Sequence, residues 1–212
     1  NATEYGVSQK RERVFFIGIK NNQDVFFEYH MNDLLEQQKT EAPTIRALLK
    51  SLGPAGTEKN PNTCTAKITF ATNPIMRKSP YAGMYFNGQG RPINYNEPIN
   101  IDDYADTLPA SMGGNKTPFL DEEYLYGDAN EDWVVSYHRG LLNGTITPEF
   151  REAPKRLRRI TINEAIRIQT FPDDYIFCGN KGRIYTQIGN AVPSKLAEVV
   201  ANATIQYLKE YQ

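Results

Sequence analysis

The chain has 212 residues, of which 40% are hydrophobic and 11% aromatic, and its 24 Lys and Arg nearly balance its 25 Asp and Glu. This length predicts one or two domains, and the composition excludes collagen-like, low-complexity and wholly disordered proteins. The net charge of −1 argues against a protein that holds nucleic acid by bulk electrostatics, so any contact with nucleic acid must be local.

Apolar runs in the sequence stay well short of the roughly 18 residues that a membrane span requires. The first residues also lack the basic and apolar regions of a signal peptide. We therefore expect a soluble, cytoplasmic chain with no membrane partner. The first residue is Asn1 rather than methionine, which favours a chain from which upstream sequence has been omitted.

The cysteines and histidines do not form a metal-binding pattern. Cys64 and Cys178 are far apart in the sequence, and His30 and His138 are the only histidines. This spacing favours neither a disulfide framework nor a metal site, and both cysteines are expected to pack as small hydrophobic residues.

The first predicted element is a sheet strand at 14–19, where apolar and β-branched residues occupy both alternating faces. The polar stretch 5–12 before it is predicted to be a loop that carries functional side chains. One short amphipathic helix is predicted after it, with apolar residues at helical spacing over 45–52 and a stop at Gly53-Pro54.

The middle of the chain, from 61 to 150, has weak periodicity and many turn-forming residues. Short strand-like pieces occur at 66–70 and 133–137, so this stretch is predicted to be an irregular domain of strands and loops. Regular helices return after Thr161, which forms a capping box with Glu164, and at 193–208.

Three segments, in this order, resemble motifs of the DNA cytosine-5 methyltransferases. Residues 9–13, Gln-Lys-Arg-Glu-Arg, resemble the family's Gln-x-Arg-x-Arg motif. Residues 158–175 are similar to the motif that follows the family's recognition domain, and residues 185–193 resemble its closing Gln-x-Gly-Asn-Ser/Ala-Val element. Between them, 90–92, 106–110 and 113–118 resemble the Thr-Leu doublet and glycine-rich loops of target recognition domains.

The resemblance implies an α/β scaffold remnant, the C-terminal part of an S-adenosylmethionine-dependent methyltransferase fold, with an inserted irregular, mainly β target recognition domain. We expect the boundaries to be 1–22 and 157–212 for the catalytic segments and 23–156 for the recognition domain. The family's Pro-Cys-Gln nucleophile motif, its Glu-Asn-Val motif and its Phe-x-Gly-x-Gly cofactor loop do not occur in the sequence. The chain is therefore expected to be inactive alone and to need an N-terminal portion or subunit that carries them.

The resemblance also implies roles for individual residues. Arg11 and Arg13 are two positions apart at the beginning of the predicted strand, so both guanidiniums are expected on the same side. By resemblance, Arg13 donates to O2 of a cytosine flipped out of duplex DNA, Arg11 organises nearby backbone or acidic groups, and Gln9 supports them. Gly189, Asn190 and Ala191 were expected to precede a helix directly. That position suits a wall of the S-adenosylmethionine site.

Double-stranded DNA is the expected partner, and its contacts are assigned by resemblance and by charge. The residues expected to contact it are Thr107, Leu108, Gly113, Gly114, Asn115, Lys116, Gln89, Arg91, Arg156 and Arg158. The last two belong to a basic cluster over 151–167 that suits phosphate contacts, whereas the acidic segment 101–132 is expected to be a solvated face turned away from DNA.

Other interpretations remain open at this stage. The chain could be a non-enzymatic DNA-binding or regulatory protein derived from the same fold, and an RNA-binding module is a weaker alternative without a recognised RNA motif. The charged run 10–13 could be a solvated surface and Asn190 an ordinary helix cap. A restriction-modification role is what the bacterial branch of the family implies.

Overall fold

The computed structural model describes residues 1–20, 23–82, 85–86 and 98–211. Over these residues the helices and strands are α1 (Phe27–Glu36), α2 (Ile45–Leu49), β1 (Phe119–Asp121), α3 (Glu122–Tyr126), α4 (Trp133–Leu142), β2 (Leu157–Arg159), α5 (Ile162–Ile168), α6 (Lys181–Asn190) and α7 (Ser194–Tyr211). A 3-10 turn at Ala2–Glu4 precedes them.

Three of the helices begin at caps that are visible in the sequence. The Thr44 side chain accepts a hydrogen bond from a backbone N–H in the first turn of α2, and Asn180 does the same for α6. At α5, Thr161 and Glu164 form the complete capping box, as predicted. These side chains satisfy N–H groups that have no partner within the helix.

The long C-terminal helix α7 packs against α1. Met31 and Leu34 of α1 are buried against Ala203 and Tyr207 of α7. The prediction of a terminal helix is confirmed, but the sequence between 21 and 60 was expected to hold only one helix. It holds two, because α1 has polar residues between its few apolar ones and owes its stability to α7.

The largest core lies between α2, α5, α6 and the segment 99–125. Its fully buried members include Ile45, Ile101, Ile160 and Ile188. Strands β1 and β2 pair antiparallel beside it, with Phe119 opposite Arg159 and Asp121 opposite Leu157. This core joins parts of the chain that are far apart in sequence.

A second core is aromatic. The rings of Phe70 and Tyr137 stack with centroids 4.6 Å apart, and Trp133 stacks on Tyr137 at 5.0 Å. The prediction of a strand at 133–137 is wrong. Asp132 caps a helix there, and the apolar residues of α4 face the aromatic core at helical spacing.

The expectation of a mainly β recognition domain is also wrong for the described residues of 23–156. They contain four helices and the single strand β1, while the strand-like piece 66–70 contributes only isolated bridges. Short apolar runs such as these are compatible with either element, and packing against the aromatic core selects helix.

The predicted strand 14–19 is extended, but it has no strand partner among the described residues. Ile17 and Ile19 contact the α1–α7 core, whereas Val14 is 80% exposed and Phe16 97% exposed. A strand that is apolar on both faces needs cover on both sides, and the described part of the chain covers one.

The cores cross both predicted domain boundaries. Helix α1, placed within 23–156, packs on α7, and the largest core combines α2 with α5 and α6. The division at 22 and 156 therefore stays a prediction.

Across the residues that the structure describes, the helices are all too short or too polar to cross a membrane. Those residues also contain no group of three or more His, Cys, Asp or Glu able to hold a metal ion. Both cysteines are free thiols. Cys64 is half-buried, but Cys178 is exposed, so its predicted role as a packed hydrophobic residue is wrong.

Asp132 gives the fold a pH dependence that can be measured. Its carboxylate accepts hydrogen bonds from the Val134 N–H and the Tyr81 hydroxyl, and burial raises the pKa of Asp132 from 3.8 to about 6. Because the pKa is higher in the folded state, the stabilisation that protonation gives is complete below pH 3.8 and is lost as the pH rises through 6.

Asp132→Asn keeps an acceptor for the cap but removes this titration. Relative to the wild type, its free energy of unfolding in urea is expected to rise by roughly 2 kcal/mol between about pH 4.5 and pH 7. Asp128→Asn, at an exposed position in the same region, is the control for loss of one negative charge. A difference between the Asp132 variant and the wild type that is constant across this pH range would contradict the prediction.

Candidate functional site

The segment that carries the Gln-x-Arg-x-Arg motif lies beside residues 105–109. Gln9 forms a parallel bridge with Ala105, in which the Lys10 N–H donates to the Ala105 carbonyl at 2.8 Å and the Ala105 N–H donates to the Ser8 carbonyl at 3.0 Å. The Thr107 hydroxyl donates to the Lys10 carbonyl at 2.7 Å. The first motif is thus fixed against the predicted Thr-Leu doublet.

The Arg11 guanidinium is buried where these segments meet the end of α6. Its Nη1 donates to the Leu108 carbonyl at 3.2 Å, and its Nη2 donates to the carbonyls of Gly189 at 2.9 Å and Ala191 at 2.8 Å. One side chain therefore joins the first motif, the Thr-Leu doublet and the closing motif.

The charge of Arg11 is compensated by dipoles rather than by a carboxylate in these contacts. Burial, with a smaller contribution from the charge of Arg13, lowers the pKa of Arg11 to about 10, so the guanidinium is still charged at neutral pH. Its partners at Gly189 and Ala191 belong to the C-terminal end of α6, where the helix dipole favours a cation. Among the described residues, the Nε atom of Arg11 has no hydrogen-bond partner.

Two glutamines extend this network. The Gln9 oxygen accepts from the Leu108 N–H at 2.8 Å, and the Gln9 amide donates to the Gln169 oxygen at 3.1 Å. Gln169 donates in turn to the Ile188 carbonyl at 2.6 Å. Sequence reasoning did not select Gln169, because its partner lies 160 positions away; its place in the second motif was the only signal.

The beginning of α7 is held by the residue that follows Gln169. Thr170 has a φ of 57°, in the left-handed region that a β-branched residue rarely adopts. The Thr170 hydroxyl accepts from the Lys195 N–H at 3.0 Å, and the Gln169 carbonyl accepts from the Ser194 N–H at 3.2 Å. These contacts support the strained conformation and anchor α7 to the glutamine network.

Arg13 occupies a different environment from Arg11. Its side chain is exposed and donates to the Glu12 carbonyl at 2.6 Å, beside a cavity of about 180 Å³ that is also lined by Tyr5, Phe15 and Leu196. The two guanidiniums therefore do not share one enclosed space, because the backbone at 11–13 belongs to no regular strand.

The closing motif is placed differently from the expectation. Gly189 and Asn190 are the last residues of α6, and Ala191 is its C-cap, so they do not directly precede the N-terminus of a helix. Gly189 is buried, whereas Asn190 is exposed and its side chain has no hydrogen-bond partner among the described residues. The sequence gave no cap signal that separated α6 from the turn before α7.

Most of the residues expected to contact DNA form one exposed region. Thr107, Gly113, Asn115 and Lys116 are exposed and Gly114 is half-buried. Thr107 and Lys116 line a cavity of about 380 Å³ together with Lys10, Tyr81 and Asp103. The exception is Leu108, which is buried in the largest core and cannot present its side chain to DNA. Gln89 and Arg91 lie outside the described residues.

Arg156 and Arg158 are engaged within the chain. Arg156 binds both oxygens of the buried Asp121, at 2.9 and 2.7 Å. Arg158 binds both oxygens of Glu164, at 2.8 and 2.7 Å, and also Glu122. The expected phosphate contacts are therefore replaced by ion pairs.

The acidic segment 101–132 is not simply a solvated face. It supplies Asp121 and Glu122 to these pairs, and the pairing of β1 with β2 brings the two charged segments together. The predicted excess of positive charge over 151–167 is largely neutralised in this way.

A family model described as C-5 cytosine-specific DNA methylase matches residues 1–206, and the chain belongs to this family. The resemblance seen in the sequence is thus confirmed for the family, while the individual motif roles stay predictions.

Similar proteins agree with this membership. The type II methyltransferase M.MthTI of Methanothermobacter thermautotrophicus is 28% identical over 202 residues, which cover 95% of this chain and 53% of that protein. M.PspPI of Psychrobacter is 30% identical over 211 residues, covering 96% and 44%. The chain spans about half the length of these relatives. The solved Entamoeba histolytica methyltransferase EhMeth aligns with 97% of this chain and 51% of its own, at 15% identity and a TM-score of 0.46.

The contact of Gly189 with the 109–110 backbone can be tested. A Cβ atom at Gly189 would lie 2.4 Å from the Pro109 carbonyl oxygen and 2.8 Å from the Ala110 Cα. Gly189→Ala is therefore expected to destabilise the fold by about 1–3 kcal/mol in denaturant unfolding. The control is Gly182→Ala in the same helix, where the nearest atom lies at 3.6 Å and the change should be neutral or stabilising by about 0.5–1 kcal/mol. Equal stability of the two variants would refute the predicted contact.

Proposed function

We propose that the chain is the DNA-recognition and C-terminal half of an enzyme that transfers a methyl group from S-adenosylmethionine to C5 of a cytosine in duplex DNA. Membership of the C-5 cytosine-specific DNA methylase family supports this function. A cytoplasmic location and a role in restriction-modification are part of the same proposal, since the similar proteins carry the name type II methyltransferase.

The observation that carries the proposal is the convergence of three distant segments on Arg11. The first motif, the doublet at Thr107-Leu108 and the turn at 189–191 meet within hydrogen-bond distance. Each of these segments has a separate expected task, at the base, on the DNA and at the cofactor. Their meeting at one point is what a shared active site requires.

Residues at the 189–191 turn fit the proposed cofactor. S-adenosylmethionine supplies the methyl group when it is bound. The exposed amide of Asn190 offers a donor and an acceptor for a polar ligand, and Arg11 holds the backbone on both sides of it. In this proposal Arg13, whose guanidinium is exposed, donates hydrogen bonds to the carbonyl oxygen of the target cytosine.

The remaining wall of the site is assigned to an N-terminal portion or subunit. An exposed apolar surface supports this assignment: Val14, Phe16, Val25, Phe26 and Tyr29 are each at least 63% exposed. A surface of this kind marks a place where another polypeptide packs. A self-sufficient DNA-binding protein, the alternative function, would be expected to cover it.

The first experiment measures transfer of labelled methyl from S-adenosylmethionine to unmethylated plasmid DNA, followed by bisulfite sequencing. The chain alone is expected to transfer none, because the nucleophile and cofactor-loop motifs are absent from its sequence. Addition of a fragment with the Pro-Cys-Gln and Phe-x-Gly-x-Gly motifs should restore transfer to C5 of cytosines in a defined site. Transfer by the chain alone would overturn the divided site, and a combination that binds DNA without transfer would favour the DNA-binding alternative.

Arg13→Ala tests the role at the base. In the reconstituted enzyme this change should lower turnover about 100-fold, because a donor aimed at the reacting base acts mainly in the transition state, while DNA affinity changes less than about threefold. Lys20→Ala, which removes an exposed cation from the same segment, is the control. Equal losses of turnover and affinity would identify Arg13 as a phosphate contact.

A further inference from the structure

The Arg11 guanidinium connects two surfaces to which the proposed function gives different ligands. Through Leu108 it holds the segment next to the exposed Thr107, and through Gly189 and Ala191 it holds the turn that presents Asn190. The distances, 2.8 to 3.2 Å, are those of ordinary hydrogen bonds. Each surface is thus one side chain away from the other.

Direct backbone packing reinforces this connection. Gly189 approaches the Pro109 carbonyl so closely that a Cβ atom would overlap it. On the other side, Thr107 donates to the Lys10 carbonyl, one residue from Arg11. The 107–109 backbone therefore cannot shift without disturbing either the carbonyls that Arg11 binds or the end of α6.

We propose that Arg11 is a positioning residue that couples DNA binding at Thr107 and the 113–116 loop to cofactor binding at the 189–191 turn. This inference rests on the proposed function, which assigns those two ligands. When DNA fixes the 107–109 backbone, Arg11 fixes the turn in the geometry that binds the cofactor. By linkage, the cofactor favours DNA binding by the same factor.

A lysine cannot replace Arg11 in this role. The planar guanidinium reaches Leu108 with one nitrogen and the two α6 carbonyls with the other, whereas an ammonium is a single point of attachment. Arg11→Lys keeps the positive charge at the end of α6 but loses the bridge. The two surfaces then bind their ligands independently.

Arg159 provides a matched control. It is also buried, its pKa is also lowered to about 10 by burial, and it donates to the backbone carbonyls of Ala66, Lys67 and Thr117. None of these carbonyls belongs to the 189–191 turn. Arg159→Lys should therefore lower stability comparably without removing the link between the two surfaces.

The test uses the reconstituted enzyme and a duplex containing the site mapped by bisulfite sequencing. S-adenosylhomocysteine, which cannot donate a methyl group, serves as the cofactor probe. Its dissociation constant is measured by calorimetry with and without the duplex. In the wild type and in Arg159→Lys, the duplex should tighten binding about tenfold, and in Arg11→Lys by less than about twofold, although each ligand alone still binds.

The outcomes separate the inference from the function on which it rests. Failure of the wild type to bind either ligand would overturn the proposed function. If the wild type binds both ligands without mutual effect, or if Arg11→Lys retains the wild-type effect, the coupling role is refuted while the methyltransferase function stands. Loss of the effect in both lysine variants would also refute it, since general destabilisation would then be the cause.

Discussion

A buried arginine that binds only neutral acceptors is an expensive arrangement, and in this chain the meeting of three segments depends on it. The Arg11 guanidinium donates to the carbonyls of Leu108, Gly189 and Ala191, and to the side chain of Gln9. Desolvation of the cation is opposed by the carbonyl dipoles at the end of α6. If those carbonyls moved away, the charge would be left buried without compensation, so the arginine and the turn hold each other in place.

The other arginines in the chain follow a different rule. Arg156 and Arg158 are neutralised by Asp121, Glu122 and Glu164, which lie on or beside the two paired strands. Buried pairs of this kind contribute little net stability but penalise any arrangement that separates them. They therefore specify the register of β1 and β2, and the charges that the sequence offers for DNA are largely used within the fold.

The sequence predicts those parts of the structure whose signals are local. The α5 capping box and the apolar stripe of α7 need only neighbouring residues, and both are confirmed. Helix α4 was misjudged because Trp133–Tyr137 is β-branched and aromatic, and only its packing on Phe70 decides the conformation. In the site, resemblance selected Arg11 and Gly189. The partnership of Gln9 with Gln169 depends on the tertiary fold and has no counterpart in local pattern.

The uncovered side chains of Val14 and Phe16 have a consequence for how the chain is made. They are presented on an extended backbone whose hydrogen-bonding groups have no strand partner among the described residues, which is the form that chains use to associate with copies of themselves. A cell that synthesises this polypeptide in excess of its complement would carry a sticky intermediate, subject to chaperone capture and proteolysis. Balanced co-expression, rather than refolding of the separate chain, is the practical route to soluble material.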